Sequence, residues 1–296
     1  MSEPMKLSAR VAAPLKKVHH ALTDPGELRV WLAEHAEVEL PHRYEFWGRH
    51  TPEGEAPRQR LLHVDDHTLR FAWPLGGEET TVEIILEEES AESTVVSLTQ
   101  THFDQEAALA DSGVLGTLQT FWYLSSANLV DHLEGRELTP KADFTSPVMR
   151  EQLVIDGSPE AVFDSLVDPE KFSRWFGYKV DIEPYVGGRF AMGGFEANDT
   201  PAKVVELEPG RGLTLEWPGF GLSSWELEGS GGGTRLTFVQ SGFDEKNPPY
   251  AGWMGWLSGL AELRRFHELS DWRPIWLDPA APGSPEGTTE GTTVSG

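Results

Sequence analysis

The chain states one pattern twice. Around Val18 it reads VHHALTDPGELRVWL, and around Val162 it reads VFDSLVDPEKFSRWF. Asp24 and Asp168, Pro25 and Pro169, and Trp31 and Trp175 all keep one constant offset, which LRFAWP from Leu69 and LTLEWP from Leu213 also keep. TQTHFD against VQSGFD has drifted by only a few residues. Echoes spread along most of each half mean two copies of a whole domain, because solenoid units recur every few tens of residues. Each copy must therefore close a core of its own. A length of 296 residues allows this, since each half then has ordinary domain size. The first domain is expected over residues 1–138 and the second over 148–278. The segment LTPKADFTSP from Leu138 has two prolines bracketing polar residues and is a candidate linker. Residues 279–296 are almost free of apolar side chains. They cannot repay their ordering entropy and are expected to be a disordered tail.

Within each copy the first apolar alternation, Lys6–Val11 or Arg150–Ile155, reads as a strand. A helix follows from Pro14 or Pro159, placed where its missing N–H is not needed. That helix stops at the Asp-Pro pair, because proline disfavours helical geometry in the residue before it. Asp24 or Asp168 can then cap a second short helix ending near the tryptophan. Leu69, Phe71 and Trp73, like Leu213, Leu215 and Trp217, alternate with their neighbours as a half-buried antiparallel sheet requires. Further strands are expected at Thr81–Leu86, Thr94–Gln100, Ser223–Glu228 and Thr234–Gln240, with GSGGGT from Gly229 as a hairpin loop. Each copy ends in a long amphipathic helix. Its apolar face carries Leu115, Leu118, Trp122, Leu129 and Leu133 in the first copy, and Trp253, Trp256, Leu257, Leu260 and Leu263 in the second. A curved sheet wrapped around a long helix satisfies this order with one core per copy.

A formal charge of −24 argues against nucleic acid and anionic membranes, whose charge repels such a surface. With no cysteine in the chain, disulfides, thiolate nucleophiles and cysteine metal sites are excluded, as suits a reducing cytoplasm. MSEPMKLSARVAAP has no signal-like apolar run, and no window approaches a transmembrane span. A soluble, cytoplasmic protein is expected.

PEAVFDSLVDPEKFSRWF from Pro159, GGRF from Gly187, LTLEWP from Leu213, VQSGFD from Val239 and GWMGWLSGLAELRRF from Gly252 together carry a family likeness. They resemble the activator of heat-shock protein 90 ATPase homologue-like family, within the START/Bet v-like (SRPBCC) superfamily. The resemblance covers nearly all of the second copy. The first copy is more diverged, lacking the Gly-Gly before Arg43-Tyr44 and carrying His102 in place of Gly242. The resemblance implies an α+β chain of two tandem helix-grip (START/Bet v-like) domains. Each would be a curved antiparallel sheet around a long C-terminal helix, with two short helices and an apolar cavity. It implies ligands that are lipids, hormones, polyketides or other hydrophobic molecules. The namesake cochaperones also carry a separate chaperone-binding domain with an Asn-rich, Trp-containing motif, which this sequence lacks.

Eleven tryptophans supply large rigid surfaces that serve a core or a ligand cavity equally well. The candidate cavity residues are Trp31, Trp73 and Trp122 in the first copy. In the second they are Trp175, Phe190, Trp217, Trp225, Trp253 and Trp256, with Arg189 and Gln240 as polar groups that could orient a ligand. His63, His102, Arg43 and Glu226 are further polar candidates. His63-Val-Asp-Asp-His67 contains metal-ligand types without a recognised spacing, its counterpart has no histidine, and no metal or other cofactor is expected. No GxSxG elbow or GxxxxGK[ST] loop is present, so no catalytic residue is assigned. The leading expectation is binding of a small hydrophobic molecule between sheet and helix. A polyketide aromatase/cyclase-like enzyme and a cochaperone-like module with a protein partner are the alternatives. The copies are expected to divide the labour, with the cavity kept in the second.

Overall fold

The computed structural model describes residues 4–110 and 112–277. The first copy runs β1 (Met5–Val11), α1 (Leu15–Thr23), α2 (Pro25–Trp31), β2 (His35–Glu39), β3 (Arg43–Trp47), β4 (Arg60–Val64), β5 (Thr68–Leu75), β6 (Glu78–Ser90), β7 (Ser93–Gln100), α3 (Gln105–Leu109) and α4 (Gly113–Leu133). The second runs β8 (Met149–Ile155), α5 (Pro159–Val167), α6 (Pro169–Phe176), β9 (Val180–Ile182), β10 (Arg189–Met192), β11 (Ala202–Glu208), β12 (Gly212–Trp217), β13 (Gly221–Ser230), β14 (Gly233–Ser241) and α7 (Tyr250–Glu268). These are two tandem helix-grip domains of antiparallel strands, each closed by a long helix. The expected tail lies outside the described residues. Helix α3 is an addition to the expected order, capped by Asp104, which accepts the Ala107 N–H at 2.9 Å.

The strongest sequence echo is a joint between two helices. Asp24 accepts the N–H groups of Gly26 and Glu27 at 2.7 and 3.1 Å. Asp168 accepts those of Glu170 and Lys171, both at 2.9 Å. Seven residues on, the indole N–H of Trp31 donates to the Ala21 carbonyl at 2.9 Å, and that of Trp175 to the Ser165 carbonyl at 2.8 Å. Proline ends one helix, aspartate starts the next, and tryptophan pins the second back onto the first. Asp168→Ala should lower stability by about 1 kcal/mol, as loss of an N-cap does. An unchanged urea midpoint would remove the cap from this account.

The copies differ where the Gly-Gly turn differs. In the second copy all seven strands form one sheet in the order β8-β14-β13-β12-β11-β10-β9. Gly187 donates to the Val204 carbonyl at 2.7 Å and Val204 to the Gly188 carbonyl at 2.8 Å, docking the β9–β10 hairpin on β11. A Cβ on Gly188 would lie 2.1 Å from the Glu183 carbonyl oxygen, so only glycine fits. The first copy has no glycine there. Its sheet stops at β1-β7-β6-β5-β4, and β2-β3 forms a separate ribbon. The Gln59 side chain accepts the Phe46 N–H at 3.1 Å, standing in for a missing ladder bond.

The two long helices depart from the amphipathic expectation. Ser125, Ser126, Asn128 and Asp131 of α4 are buried together with its apolar residues. One face of α4 covers its own sheet and the other packs on α7. Thr120 lies against Gly255 near one end of the pair, and Asp131 bonds Arg264 and Arg265 near the other. The helices therefore run side by side in the same direction. The segment after α4 folds back on the first copy. Asn128 exchanges two hydrogen bonds with the Thr139 backbone at 2.9 and 3.0 Å. Lys141 donates to the carbonyls of Arg29, Val30 and Ala33 around the end of α2, at 3.1, 3.0 and 3.3 Å. Beyond α7 the chain crosses to the first sheet, where Arg10 donates to the Ile275 carbonyl at 3.0 Å and Leu277 to that of Ser8 at 2.8 Å.

Candidate functional site

Strand alternation sends one side-chain set of the second sheet toward α7. Leu213, Trp225, Phe238 and Glu151 form one inward row, and Leu215, Ser223, Gln240 and Met149 form the next. Trp256 of α7 sits at the centre of an aromatic box. Its ring lies 4.9 Å from Trp225, 5.5 Å from Phe176, 6.0 Å from Trp217, 6.1 Å from Phe238 and 6.5 Å from Phe190. Trp253 stacks on Phe238 at 5.2 Å. These rings are buried except for Phe176 and Trp217, which are partly exposed; Trp217 donates to the Ser223 hydroxyl at 3.0 Å. Trp175 reaches the box through Phe172 and Phe176, at 4.4 and 5.6 Å, with its N–H spent on the helix joint.

Two polar groups of this box have no hydrogen-bond partner among the described residues, the Oε1 of buried Gln240 and the buried Nε1 of Trp225. The first copy closes the same position completely. Trp122 donates to Gln100 Oε1 at 2.6 Å, Gln100 Nε2 donates to Thr80 at 2.9 Å, and Thr80 donates to the Trp73 carbonyl at 2.7 Å. Trp73 packs on Phe46, Phe121 and Trp122 at 5.1, 5.7 and 6.1 Å. Trp31 lies in the helix joint below them.

Arg189 does not join the box. Phe190 points inward, so its neighbour points out, where Arg189 pairs with Glu183 at 2.7 Å and lies 4.1 Å over the Phe195 ring. The Arg189 guanidinium holds the Glu183 carboxyl down to about 2. Arg43 and Glu226 are likewise outward, bonded to Glu45 at 2.7 Å and to Arg150 at 3.5 Å. Glu151, not singled out from the sequence, does face inward. It is half-buried, and burial raises its carboxyl pKa. Asp65 of the histidine-acid run bonds His63 at 2.9 Å and accepts the backbone N–H groups of His67 and Thr68, closing a turn. No group of three or more His, Asp or Glu among the described residues is placed to hold a metal ion.

Two further features lie between the copies. At the C-terminal ends of α4 and α7, fully buried Asp131 bonds Arg264 at 2.9 Å and Arg265 at 2.7 Å. Glu134 bonds Arg265 at 2.8 Å, and Arg136 bridges Asp131 and Glu268. At the N-terminal ends of the same helices opens a cleft of about 540 Å³, bounded by the β3–β4 loop, the linker and the segment before α7.

Activator of Hsp90 ATPase homolog 1-like protein is the family that matches residues 12–134 and again 156–265. The chain belongs to this family. Its tandem form is a helix-grip pair in which both family segments carry the Asp-Pro joint and the long closing helix. Similar solved structures include a Mesorhizobium loti protein, 26% identical over 42% of this chain and 99% of its own, with a TM-score of 0.37. A putative protein of the dynemicin biosynthetic locus is 17% identical, covering 90% of this chain and all of its own, with a TM-score of 0.35. The di-domain ARO/CYC BexL is 14% identical, covering 92% of this chain and 100% of its own, with a TM-score of 0.34. Comparison with curated proteins gave no match. No helix among the described residues of this family member is long and apolar enough to cross a membrane.

Proposed function

We propose that the second domain binds a small hydrophobic molecule carrying a hydroxyl group, between its sheet and α7, and that the first domain is its structural partner. The observation that supports this reading is the orphan pair of Gln240 Oε1 and Trp225 Nε1 in an otherwise aromatic box. A buried polar group without a partner costs about 1–3 kcal/mol. One ligand hydroxyl can donate to Gln240 and accept from Trp225, relieving both. The aromatic faces supply the apolar contact, and half-exposed Trp217 marks the side on which the box opens.

Two matched substitutions test the reading on protein purified from its own host, with native mass spectrometry to detect a retained small molecule. Gln240→Leu should lose the adduct, and in ligand-free protein it removes an unsatisfied group and should gain about 1 kcal/mol of stability. Gln100→Leu strands Trp122 and should lose about 1–3 kcal/mol while keeping it. An adduct that survives Gln240→Leu, or that disappears with Gln100→Leu, counts against the assignment.

Glu151 favours a second reading, proton transfer on the bound molecule in the manner of a polyketide aromatase/cyclase-like enzyme. Its raised pKa lets it hold a proton more readily than an exposed glutamate does.

A further inference from the structure

We infer that the cleft between the two copies is a second binding site, for a flat apolar acid such as an aryl carboxylate. The cleft exists only because the domains are joined in tandem. Its walls come from the first copy, the linker and the second copy together. A volume of about 540 Å³ suits a compact organic molecule.

The apolar body of the ligand follows from one wall. Phe144 of the linker and Tyr250 at the start of α7 present rings 5.0 Å apart, with Val114 and Pro248 beside them. The acid group follows from the hydrogen-bonding balance. Two of the three lining carboxylates are engaged at short range, Glu34 with Arg49 at 3.2 Å and Glu53 with Arg58 at 2.8 Å, while Glu55 points to solvent 3.6 Å from Arg58. Donors are left over inside the cleft. Lys246 lines the cleft and makes no ion pair among the described residues. Thr51 lines it too, is 1% exposed, and its hydroxyl has no partner among the described residues. Helix α4 begins at this wall without a side-chain cap from Ser112, and a Cβ on its first residue, Gly113, would meet none of the described residues within 4 Å. Because α4 and α7 run in the same direction, the positive ends of both helix dipoles face the same opening, which favours an anion.

The test is calorimetric titration of the whole protein with naphthalene-2-carboxylate and with its neutral methyl ester, which has no hydroxyl to offer the box of the second domain. The carboxylate should bind at millimolar concentration or below, at least about tenfold more tightly than the ester, and more weakly as salt is raised. Lys246→Gln, on an exposed loop, should weaken the carboxylate by about tenfold. Gln240→Leu, which alters only the box of the second domain, should leave it unchanged. No binding of the carboxylate, equal binding of the ester, or no effect of Lys246→Gln overturns the inference. Binding lost with Gln240→Leu and kept with Lys246→Gln also overturns it, and places the probe in the box of the second domain instead.

Discussion

Asp131→Asn should destabilise the protein by about 3–5 kcal/mol, the range for removing one partner from a buried charge network. Asp131 is fully buried and is the shared acceptor for Arg264 and Arg265, with Arg136 at 3.5 Å. Arg264 is itself 1% exposed. The remaining acids cannot take over, because Glu134 and Glu268 sit on the rim and already hold Arg265 and Arg136. The network is also short of acceptors as it stands. Arg264 Nε and Nη1, Arg265 Nε and Arg136 Nε are all buried without a hydrogen bond to any described residue. Its placement offsets part of that cost, since cations at the C-terminal ends of two parallel helices face both negative dipole ends. The network joins α4 to α7, so its loss should also uncouple the copies. Urea unfolding followed by tryptophan fluorescence should move to lower midpoint and broaden or split. Breaking the exposed Arg10–Glu89 pair with Glu89→Gln should cost less than about 1 kcal/mol. Equal effects from the two substitutions would mean that the buried network holds nothing together.

That network marks the boundary of what the chain discloses before folding. Asp24, Pro25 and Trp31, with Asp168, Pro169 and Trp175, were legible because each acts within about ten residues of itself, through a cap, a fixed φ and one indole bond. The strands were legible because period-two alternation needs only one buried face. Leu69 to Trp73 and Leu213 to Trp217 both keep it. The short helix α3 was missed because a five-residue element offers no periodicity to read.

The faces of α4 and α7 were misread for a different reason. Ser125, Asn128 and Asp131 look like the solvated side of an amphipathic helix, and nothing local distinguishes water from a second helix. Arg264 and Arg265 look equally ordinary. Contacts between copies are a property of both sequences at once, so the charged network and the cleft were invisible to a comparison that aligned one copy with the other. The candidate site divides along the same line. The aromatic rings of the second copy meet as their shared inward parity requires. Arg189 departs from them by that same parity, since Phe190 takes the inward direction. The orphaned state of Gln240 depends on Gln100 having Trp122 and Thr80 within reach while Gln240 has no such partner. That difference exists only in the folded chain.

Stability should also fall as pH rises from about 4.5 to about 8, through a single buried carboxyl. Glu262 of α7 accepts the Trp272 indole N–H at 3.0 Å and the Ile275 backbone N–H at 2.6 Å. It thereby anchors the segment that crosses to β1. Burial pushes its pKa up to about 7 from an ordinary 4.5, against the pull of those two donors and of Arg265. The folded state thus holds the proton more tightly than the unfolded state does. The stability this supplies is complete below the unfolded pKa and is lost as pH rises through the folded one, a loss of about 3 kcal/mol. Glu262→Gln cannot ionise. It should lack this slope, so the wild type should lose about 3 kcal/mol relative to the variant between pH 4.5 and 8. Urea midpoints across that range measure the difference. Amide exchange at Arg10, bonded to Ile275, should report loosening of the crossing segment in the wild type at the upper end. A difference curve that stays flat would mean that Glu262 is ionised in the folded protein throughout, and that its two donors outweigh its burial.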